Sequence, residues 1–374
     1  MANLFFFGTL RHLPLLELVL GRSGTALNAQ AAQLPGHGVY QVAGQPFPAI
    51  EEREDATAGG VLVQNLSPDD LDALNFYEGG FGYTLKPVNV QLEDGSTAAA
   101  EVYFPEPGLW QTAEPWDLAA WVQKWGALSM RAAEEVMAYH GRMTAEEVAR
   151  CFPSVRRRAA AWLAAQARPG DPEHDLSKDV IVHSHTRAHL NFFAMEEMEL
   201  QFRRYDGSMS PVMHRCASMA GHAAVVLPYD PVRDQVLLVE QFRAPPFMMG
   251  EASPWMWEPV AGVIDPGETP EETAIREAQE EAGVTVQRLE PVAQVYPSSG
   301  ALAELIHVFI GISDLSDLNG GGGVAGEGED IRSKILSYDE LMLGVDGQIY
   351  QDMPLVTAAL WLARHRSRLR IASS

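Results

Sequence analysis

One segment constrains the fold of this chain more than any other, because the signals for both ends of a helix are present in it. Residues 262–284 read GVIDPGETPEETAIREAQEEAGV. Thr269 is a suitable N-cap, and Glu272, three residues later, completes a capping box with it. Pro270 suits the first helical position, and Gly283 is placed to end the helix. The segment therefore predicts a strand exit, a tight turn and then a helix between these two caps.

Three glutamates, Glu277, Glu280 and Glu281, lie on one side of that predicted helix. At 100° per residue they project from a sector about 100° wide. Glutamates on a helix are usually solvated, and that interpretation stays open here. However, like charges at this spacing destabilise a helix by roughly 0.2–0.5 kcal/mol per pair, and no lysine lies between them. A divalent cation such as Mg²⁺, which prefers oxygen ligands and joins carboxylates to phosphates, would relieve the repulsion.

The charge balance of the chain agrees with such a site and argues against binding to nucleic acid. The 374 residues include 50 Asp and Glu against 27 Lys and Arg, for a formal net charge of −23. Because a phosphate backbone repels a surplus of carboxylates, we expect no nucleic-acid partner. No apolar stretch is long enough for a membrane span, so no membrane partner is expected either. The two cysteines indicate a reducing, cytoplasmic location.

The spacing of the charged residues in this segment matches a known family. The pattern G-x5-E-x7-R-E-x2-E-E-x-G-V runs without a gap from Gly262 to Val284. It resembles the Nudix box, whose family hydrolyses nucleoside diphosphates linked to another group with Mg²⁺, for which Mn²⁺ is a possible substitute. The resemblance implies a structural ion pair between Arg276 and Glu268. It also implies a metal site, in which Glu280 binds directly or through water and takes part in catalysis, made of the Ala261 carbonyl and the side chains of Glu277, Glu280 and Glu281.

The flanks of the box are similar to the ADP-ribose pyrophosphatase branch of that family, over residues 180–370. This resemblance implies hydrolysis of ADP-ribose to AMP and ribose 5-phosphate. Arg243 would bind the pyrophosphate or the terminal ribose, and Glu304 would hold the substrate or the catalytic water. Arg215 is a further candidate for a phosphate or ribose contact, and a surface ion pair is an equal alternative for it.

A glycine-rich stretch, GGGGVAGEGEDI, carries two further glutamates. It is either a flexible surface connection or a mobile loop that brings a general base over the phosphates. In the second case we favour Glu327 over Glu329 as the base. The resemblance also implies a homodimer formed through the Nudix domain, in which aromatic side chains hold the adenine. Phe202 or Tyr205 would do this here, unless these residues are buried in the core.

A second pair of motifs, FFFGTLRH and LNFYEGGFGYTLKPVNV, lies in the amino-terminal part of the chain. Together they resemble the gamma-glutamylcyclotransferase-like (AIG2-like) family. The resemblance implies that the turn amides of Gly8, Thr9 and Leu10 hold a carboxylate or amide oxygen, and that Glu78 is the acid/base. Phe7 stands where this family usually has tyrosine. A binding or structural domain therefore stays open beside a catalytic one.

The order of the elements predicts an α+β protein, because strands and helices mix without regular βαβ alternation. The two resemblances imply a small cyclotransferase-like β-barrel with helices over residues 1–107 and a Nudix α/β/α sandwich over residues 176–374. Residues 108–175, rich in Ala, Glu and Arg at helical spacing, are expected to form a helical linker. The same domain order resembles the TrgB-type tellurite-resistance proteins.

Two other functions stay open from the sequence. The same box would serve a hydrolase of another nucleoside diphosphate derivative, such as a nucleotide sugar or a dinucleotide. A sensor that binds ADP-ribose without hydrolysis, with activity only in the cyclotransferase-like domain, is an alternative from a different class. The complete set of glutamates argues against the sensor, because binding alone does not require all three. His183, His185 and His189 alternate, but no cysteine is near and a zinc site is not expected there.

Overall fold

A computed structural model of the chain describes residues 1–22, 27–316 and 330–371. The chain divides into two compact units, Met1–His214 and Arg215–Ser374, called here the amino-terminal and the carboxy-terminal unit. In the described ranges, no helix combines the length and the apolar character that crossing a membrane requires. The domain boundaries expected from the sequence stay a prediction.

The amino-terminal unit is built on a small closed β-barrel. Its strands are β1 (Ala2–Phe6), β2 (Asn28–Val42), β3 (Pro48–Leu66), β4 (Tyr83–Leu92), β5 (Thr97–Pro105) and β6 (Thr112–Pro115). They follow the order β3-β1-β5-β4-β2, and β2 pairs again with β3, so that the ring closes. β6 pairs with β2 beside the ring. β1 and β5 are parallel, and the other neighbouring strands of the ring are antiparallel.

The apolar residues at the start of the chain contribute to two different cores. Side chains alternate between the two faces of a strand. Phe5 and Phe7 belong to the core that contains other barrel residues, whereas Leu4 and Phe6 pack with residues of the helices. All four are buried. An unbroken apolar run is what a strand buried on both faces requires.

The helices of this unit are α1 (Leu13–Val19), α2 (Pro68–Gly79), α3 (Leu118–Trp121), α4 (Ala127–Met137), α5 (Ala145–Gln166) and α6 (Leu176–Asp179). Residues of α1, α2, α3 and α4 pack with barrel residues in the second of these cores. A π-helical turn joins α3 to α4. α2 begins after Ser67, which forms a capping box with Asp70, and α5 begins in the same way after Thr144. An antiparallel hairpin follows, formed by β7 (Val180–Leu190) and β8 (Ala194–Phe202).

The carboxy-terminal unit is built around a mixed sheet. Its strands are β9 (Met213–Asp230), β10 (Gln235–Phe242), β11 (Trp255–Glu258), β12 (Val260–Val263), β13 (Val286–Val295), β14 (Leu302–Ser313) and β15 (Arg332–Ser337). Its helices are α7 (Ala244–Met248), α8 (Pro270–Ala282), α9 (Tyr338–Asp346) and α10 (Met353–Ile371). The strands follow the order β11-β10-β9-β14-β13, while β12 pairs with β9 and β15 with β10. β9 and β14 are parallel.

Alternation along β9 places one core on each face of this sheet. Ala224 and Val226 pack with the alanine face of α8. Val225 and Leu227 pack with apolar residues of α10. The sheet therefore lies between two helical layers. The predicted α+β class, the amino-terminal barrel and the carboxy-terminal sandwich are confirmed.

Local predictions are confirmed where turn and cap residues mark the ends of elements. A hairpin around Asp94 is formed by β4 and β5, which pair from Tyr83 with Pro105 to Gln91 with Thr97. The helical linker expected over residues 108–175 contains α3, α4 and α5. The structure adds a short strand, β6, before these helices.

Candidate functional site

The helix that carries the acidic motif is positioned by its own caps. The Thr269 hydroxyl accepts a hydrogen bond from the Glu272 amide at 3.2 Å, and the Glu272 carboxylate accepts one from the Thr269 amide at 2.8 Å. α8 ends at Gly283, whose φ of 64° lies in the left-handed region. The predicted caps are confirmed. Because these contacts are local, both ends of α8 are determined within its own sequence.

Glu277 and Glu281 lie against the backbone of β12. A Cβ atom added to Gly262 would lie 1.9 Å from the Oε1 atom of Glu277, so a larger residue at this position would displace the Glu277 carboxylate. Glu281, one turn later, is only 3% exposed, and its Oε2 atom accepts a hydrogen bond from the Ala261 amide at 3.2 Å. The contact between β12 and α8 therefore brings two carboxylates to one stretch of backbone.

Arg276 bridges several members of the acidic motif. Its Nε and Nη2 atoms donate hydrogen bonds to Glu268 at 2.9 and 3.0 Å. Its Nη1 atom donates to Glu277 at 2.8 Å and to Glu280 at 2.9 Å. The hydrogen bonds from Arg276 lower the pKa of Glu268. The expected Arg276–Glu268 ion pair is thus present, while Glu272 serves in the helix cap.

The chemistry of this cluster suits a hard divalent cation. The candidate ligands, which are the Ala261 carbonyl and the carboxylates of Glu277, Glu280 and Glu281, offer only oxygen atoms, the donors that Mg²⁺ prefers. A carboxylate as buried as Glu281 is costly unless positive charge or hydrogen bonds compensate it. In the part of the chain that the structure describes, no three acidic, histidine or cysteine side chains are grouped around a point where an ion would sit. Arg276 lies between Glu277 and Glu280 instead, so their role as ligands stays a prediction.

Arg243, which follows β10, is held by a buried acid. Its Nε atom donates to both carboxylate oxygens of Glu258, at 2.9 and 3.0 Å. Burial alone would lower the pKa of Arg243, but the bond to Glu258 raises it. Glu281 and Asp352 lie close enough for their charges to raise it further. Arg243 is therefore near the acidic face of α8, as a substrate-binding residue of this site would be.

Two further carboxyl groups near Arg243 have raised pKa values. Burial raises the pKa of Glu304, on β14, and the charge of Arg243 opposes this shift. Burial also raises the pKa of Asp352 to about 6, and the charge of Glu258 acts in the same direction. Asp352 lies at the start of α10, where its Oδ2 atom accepts a hydrogen bond from the Leu355 amide at 2.8 Å. Carboxyl groups with different proton affinities thus lie around one guanidinium.

The other residues predicted for this site have more varied positions. Arg215 is exposed near the beginning of β9. Phe202 is 44% exposed and Tyr205 is fully exposed, so neither is a core residue of this chain. Their contact with an adenine ring stays a prediction. Glu327 and Glu329 lie outside the residues that the structure describes, so the choice between them as general base also stays a prediction.

The alternating histidines of β7 make contacts across the hairpin. The Nε2 atom of His183 lies 2.9 Å from the Gln201 side-chain oxygen, and that of His185 lies 2.6 Å from Glu196. His189 is exposed. The first two histidines thus contact side chains of β8.

The amino-terminal unit contains a cavity that brings its two predicted motifs together. The cavity has a volume of about 130 Å³ and is lined by Gly8, Thr9, Leu10 and Glu78, among others. Gly8 precedes a single 3-10 turn, which is closed by a hydrogen bond of 3.0 Å from the Arg11 amide to the Gly8 carbonyl. The two motifs, which are far apart in the sequence, therefore share one site.

Glu78 has no partner of opposite charge in the described structure, and its burial is not compensated there by a hydrogen bond. Burial raises the pKa of Glu78 to about 7. Burial also raises the pKa values of three tyrosines, and the charge of Glu78 adds to each shift; they are Tyr77, Tyr83 and Tyr103. At neutral pH, Glu78 is therefore present both with and without its proton, as a general acid/base requires.

The structure adds residues to both candidate sites that the sequence patterns did not identify. Glu258 and Asp352 join Arg243 in the carboxy-terminal unit, and Arg156 lines the amino-terminal cavity. Signals existed for the two acids: Glu258 is a single acid in the strand before the Nudix-like box, and Asp352 precedes an apolar helix as an N-cap would. No local signal distinguishes Arg156, because α5 contains several arginines.

Comparisons with known proteins match both parts of the chain. The NUDIX domain model matches residues 219–356, and the Gamma-glutamyl cyclotransferase, AIG2-like model matches residues 4–123. An ADP-ribose pyrophosphatase of Escherichia coli (strain K12) is 36% identical over 192 residues, which cover 51% of this chain and 91% of that protein. The ADP-ribose pyrophosphatase of Haemophilus influenzae is 34% identical over 170 residues, covering 45% and 78%. A GDP-mannose pyrophosphatase of Cronobacter sakazakii is 34% identical over 168 residues, covering 44% and 85%.

Proposed function

This chain belongs to the Nudix family, with a gamma-glutamyl cyclotransferase-like domain in its amino-terminal part, and we propose that its Nudix domain hydrolyses ADP-ribose with Mg²⁺. The products would be AMP and ribose 5-phosphate. The observation that carries the proposal is that the acidic face of α8 lies near Arg243, with Glu304 beside the same guanidinium. The choice of substrate is supported by the Escherichia coli relative, an ADP-ribose pyrophosphatase that this chain matches over 91% of its length.

In this proposal, some residues of the acidic cluster bind the metal and others hold the helix in place. The Ala261 carbonyl and the carboxylates of Glu277, Glu280 and Glu281 would hold Mg²⁺, or Mn²⁺ in its place. Such an ion neutralises diphosphate charge and lowers the pKa of a water molecule bound to it. Arg276 holds Glu268 through two hydrogen bonds and thereby fixes the turn before α8 to the helix.

The remaining residues act on the substrate and on the proton. Arg243 donates hydrogen bonds to a phosphate or a terminal-ribose oxygen, for which its planar guanidinium is suited. Glu304 holds the attacking water or a substrate hydroxyl. Water oxygen bonds to one phosphorus as the bridging oxygen leaves with the other phosphate. The proton that the water loses passes to Glu327 in our preferred assignment, or to Glu329.

A competition experiment tests the substrate. The full chain is incubated with equal concentrations of ADP-ribose, GDP-mannose, ADP-glucose and NADH in Mg²⁺, and the products are separated by chromatography and identified by phosphorus NMR. We expect AMP and ribose 5-phosphate to form fastest, and chelation with EDTA to stop their formation. Faster loss of GDP-mannose would transfer the proposal to a second candidate substrate, which the Cronobacter sakazakii relative supports. Binding of ADP-ribose without products would contradict hydrolysis and favour a sensor.

A second candidate function belongs to the amino-terminal unit, in which Glu78 would act as acid/base for a cyclotransferase. The amine of a gamma-glutamyl compound would attack its own gamma-amide carbon, the carbon–nitrogen bond of the amide would break, and Glu78 would pass a proton to the departing amine. The pKa of about 7 at Glu78 supports this role. Release of 5-oxoproline from a gamma-glutamyl amine, lost in Glu78→Gln, is the expected result. No release from a panel of gamma-glutamyl amines would contradict it.

A further inference from the structure

Arg243 extends from a fixed point at the edge of the carboxy-terminal sheet, where β11 lies. The preceding residue, Phe242, pairs with Trp255 of β11, and the Arg243 amide donates a hydrogen bond of 2.9 Å to the Pro254 carbonyl. The backbone that carries the guanidinium is therefore held by two contacts with the neighbouring chain segment. A side chain carried by a strand in this way presents its donors within a limited range of positions.

Glu258 occupies one edge of the Arg243 guanidinium. Within the described ranges, every hydrogen bond of this guanidinium goes to Glu258, two from the Nε atom and one from the Nη2 atom. Glu258 is buried, whereas the Arg243 side chain is 38% exposed. The Nη1 atom makes no hydrogen bond to a described residue, so this edge of the guanidinium is available to a ligand.

Asp352 brings a second carboxyl group to this guanidinium. The charge of Asp352 raises the pKa of Arg243, and the charge of Arg243 opposes the raised pKa of Asp352, so the two side chains are neighbours. The Oδ2 atom of Asp352 caps α10, because it accepts the hydrogen bond of 2.8 Å from the Leu355 amide. Its Oδ1 atom accepts no hydrogen bond from a described residue. A half-buried acceptor in this state is stabilised when a ligand supplies a donor.

The charges around Arg243 favour a hydroxyl group over a phosphate as its ligand. Besides Glu258 and Asp352, the charge of Glu281 acts on Arg243, and the charge of Arg243 acts on Glu304. One guanidinium thus has four carboxyl groups around it, and the charge-assisted bonds to Glu258 already balance its positive charge. A phosphate would bring more negative charge and only acceptor atoms. A sugar hydroxyl is neutral and can both donate and accept a hydrogen bond.

We infer that Asp352 is a specificity-determining residue, whose Oδ1 atom accepts a hydrogen bond from a hydroxyl group of the terminal ribose while the Nη1 atom of Arg243 donates to the adjacent hydroxyl oxygen. Two adjacent hydroxyl groups suit a donor and an acceptor that are neighbours. The inference rests on the hydrolysis proposed above and deepens it, because it names the part of the substrate that these two residues select. The class of substrate is a nucleoside diphosphate that carries a sugar with adjacent hydroxyl groups.

Two substrates that differ only in the group on the second phosphate test this inference. ADP-ribose carries the terminal ribose, and the methyl ester of ADP carries a methyl group in its place. Hydrolysis of either diphosphate gives AMP, with ribose 5-phosphate or methyl phosphate as the second product. For the unchanged full chain in Mg²⁺, we expect kcat/KM to be higher for ADP-ribose by about tenfold or more, because a site with groups placed for hydroxyls rejects an analogue that lacks them.

Asp352→Ser removes the carboxylate but keeps a residue that caps helices well. The ratio of kcat/KM for ADP-ribose to kcat/KM for the methyl ester should fall by about tenfold or more, mainly through a higher KM for ADP-ribose. A residue that only supports the fold would change both substrates alike and leave this ratio as it is. Asp339→Ser is the matched control, because Asp339 is an exposed aspartate in the first turn of α9. It should keep the ratio of the unchanged protein.

An unchanged ratio in Asp352→Ser, or equal kcat/KM for the two substrates in the unchanged protein, would overturn the inference. If thermal unfolding shows that the serine variant is not folded, Asp352→Asn, which also caps helices, takes its place. Failure of the proposed hydrolysis is a different result, since the unchanged protein would then release AMP from neither substrate.

In that case, calorimetric titration with ribose 5-phosphate and with methyl phosphate decides. Asp352→Ser should weaken the binding of ribose 5-phosphate relative to that of methyl phosphate by about tenfold or more. Equal weakening of both, or no preference for ribose 5-phosphate in the unchanged protein, would contradict the role of Asp352.

Discussion

Glutamates of the two units have opposite electrostatic environments. In the carboxy-terminal unit, Arg276 bonds to Glu268, Glu277 and Glu280, and it lowers the pKa of Glu268. In the amino-terminal unit, Glu78 lies in an aromatic cavity, and burial raises its pKa to about 7. The same side chain is thus kept ionised in one place and partly protonated in the other.

This difference separates two kinds of chemistry. Ionised carboxylates with hard oxygen atoms suit the binding of a divalent cation and the hydrolysis of a diphosphate. A carboxyl group that titrates near neutral pH suits proton transfer. The neighbours of each glutamate therefore support the proposal of metal-dependent hydrolysis for one unit and of proton transfer for the other.

Removal of the negative charge of Glu281 is the strongest test of the acidic cluster on α8. Glu281→Gln keeps an oxygen that accepts the Ala261 hydrogen bond but removes the negative charge. We expect the turnover number for ADP-ribose to fall by a factor on the order of a thousand, as for loss of a group that stabilises transition-state charge. Steady-state kinetics at saturating Mg²⁺ measure this. Glu271→Gln, an exposed glutamate of the same helix, is the control and should keep full turnover. Equal activity of the two variants would remove Glu281 from the metal site.

The raised pKa of Glu78 is tested by measuring the free energy of unfolding at different pH values. The pKa of Glu78 is about 7 in the folded chain, against an ordinary value of 4.5. The folded state therefore holds the proton more tightly, and this contribution to stability is complete below pH 4.5 and is lost as the pH rises through 7. Glu78→Gln cannot ionise, so it should match the unchanged protein at pH 4 and exceed its free energy of unfolding by about 3 kcal/mol at pH 8.

Urea unfolding of the amino-terminal unit within the full chain, followed at both pH values, gives these free energies. Glu93→Gln is the control, since Glu93 is exposed in the turn between β4 and β5. Its effect should not depend on pH between 4 and 8. If Glu78→Gln behaves in the same way, Glu78 is not held in an environment that favours its proton.

Arg243 provides a test of smaller expected size. Arg243→Lys keeps the positive charge but loses the planar pair of donors that contacts Glu258. Because a hydrogen bond to a charged group contributes about 1.5–3 kcal/mol, we expect kcat/KM for ADP-ribose to fall ten- to hundredfold. Arg332→Lys, which alters an exposed arginine of the same unit that pairs with Glu240, should leave kcat/KM unchanged. A loss of thermal stability without a loss of kcat/KM would limit Arg243 to a structural role.

The parts of this molecule that the sequence predicts well are those determined by neighbouring residues. The caps of α8 need contacts over only a few positions. The two motifs around Gly8 and Glu78 were also identified as one site, although the resemblance to a family, and not their local pattern, connected them.

Contacts between distant residues were not predictable in the same way. Glu258 reaches Arg243 only because β11 pairs with β10, and Asp352 joins them only because α10 packs on the same sheet. Arg156 lines the amino-terminal cavity because α5 packs on α2 through Gly80, a contact that no spacing in α5 indicates. Exposure of Phe202 and Tyr205 likewise depends on the whole fold.

The smallest expected effect is that of substituting Arg276. It tests whether Mg²⁺ can take the place of the Arg276 guanidinium beside the carboxylates. Arg276→Gln removes the positive charge shared by Glu268, Glu277 and Glu280, and it should destabilise the unit by about 1 kcal/mol because these groups are partly exposed. If the carboxylates also bind Mg²⁺, the variant should recover most of this loss on addition of Mg²⁺, and its thermal unfolding temperature should rise more than that of the unchanged protein. Arg368→Gln removes an exposed ion pair with Glu290 in the same unit and should gain no extra stability from Mg²⁺. An equal response of both variants would mean that Arg276 and the metal do not share ligands.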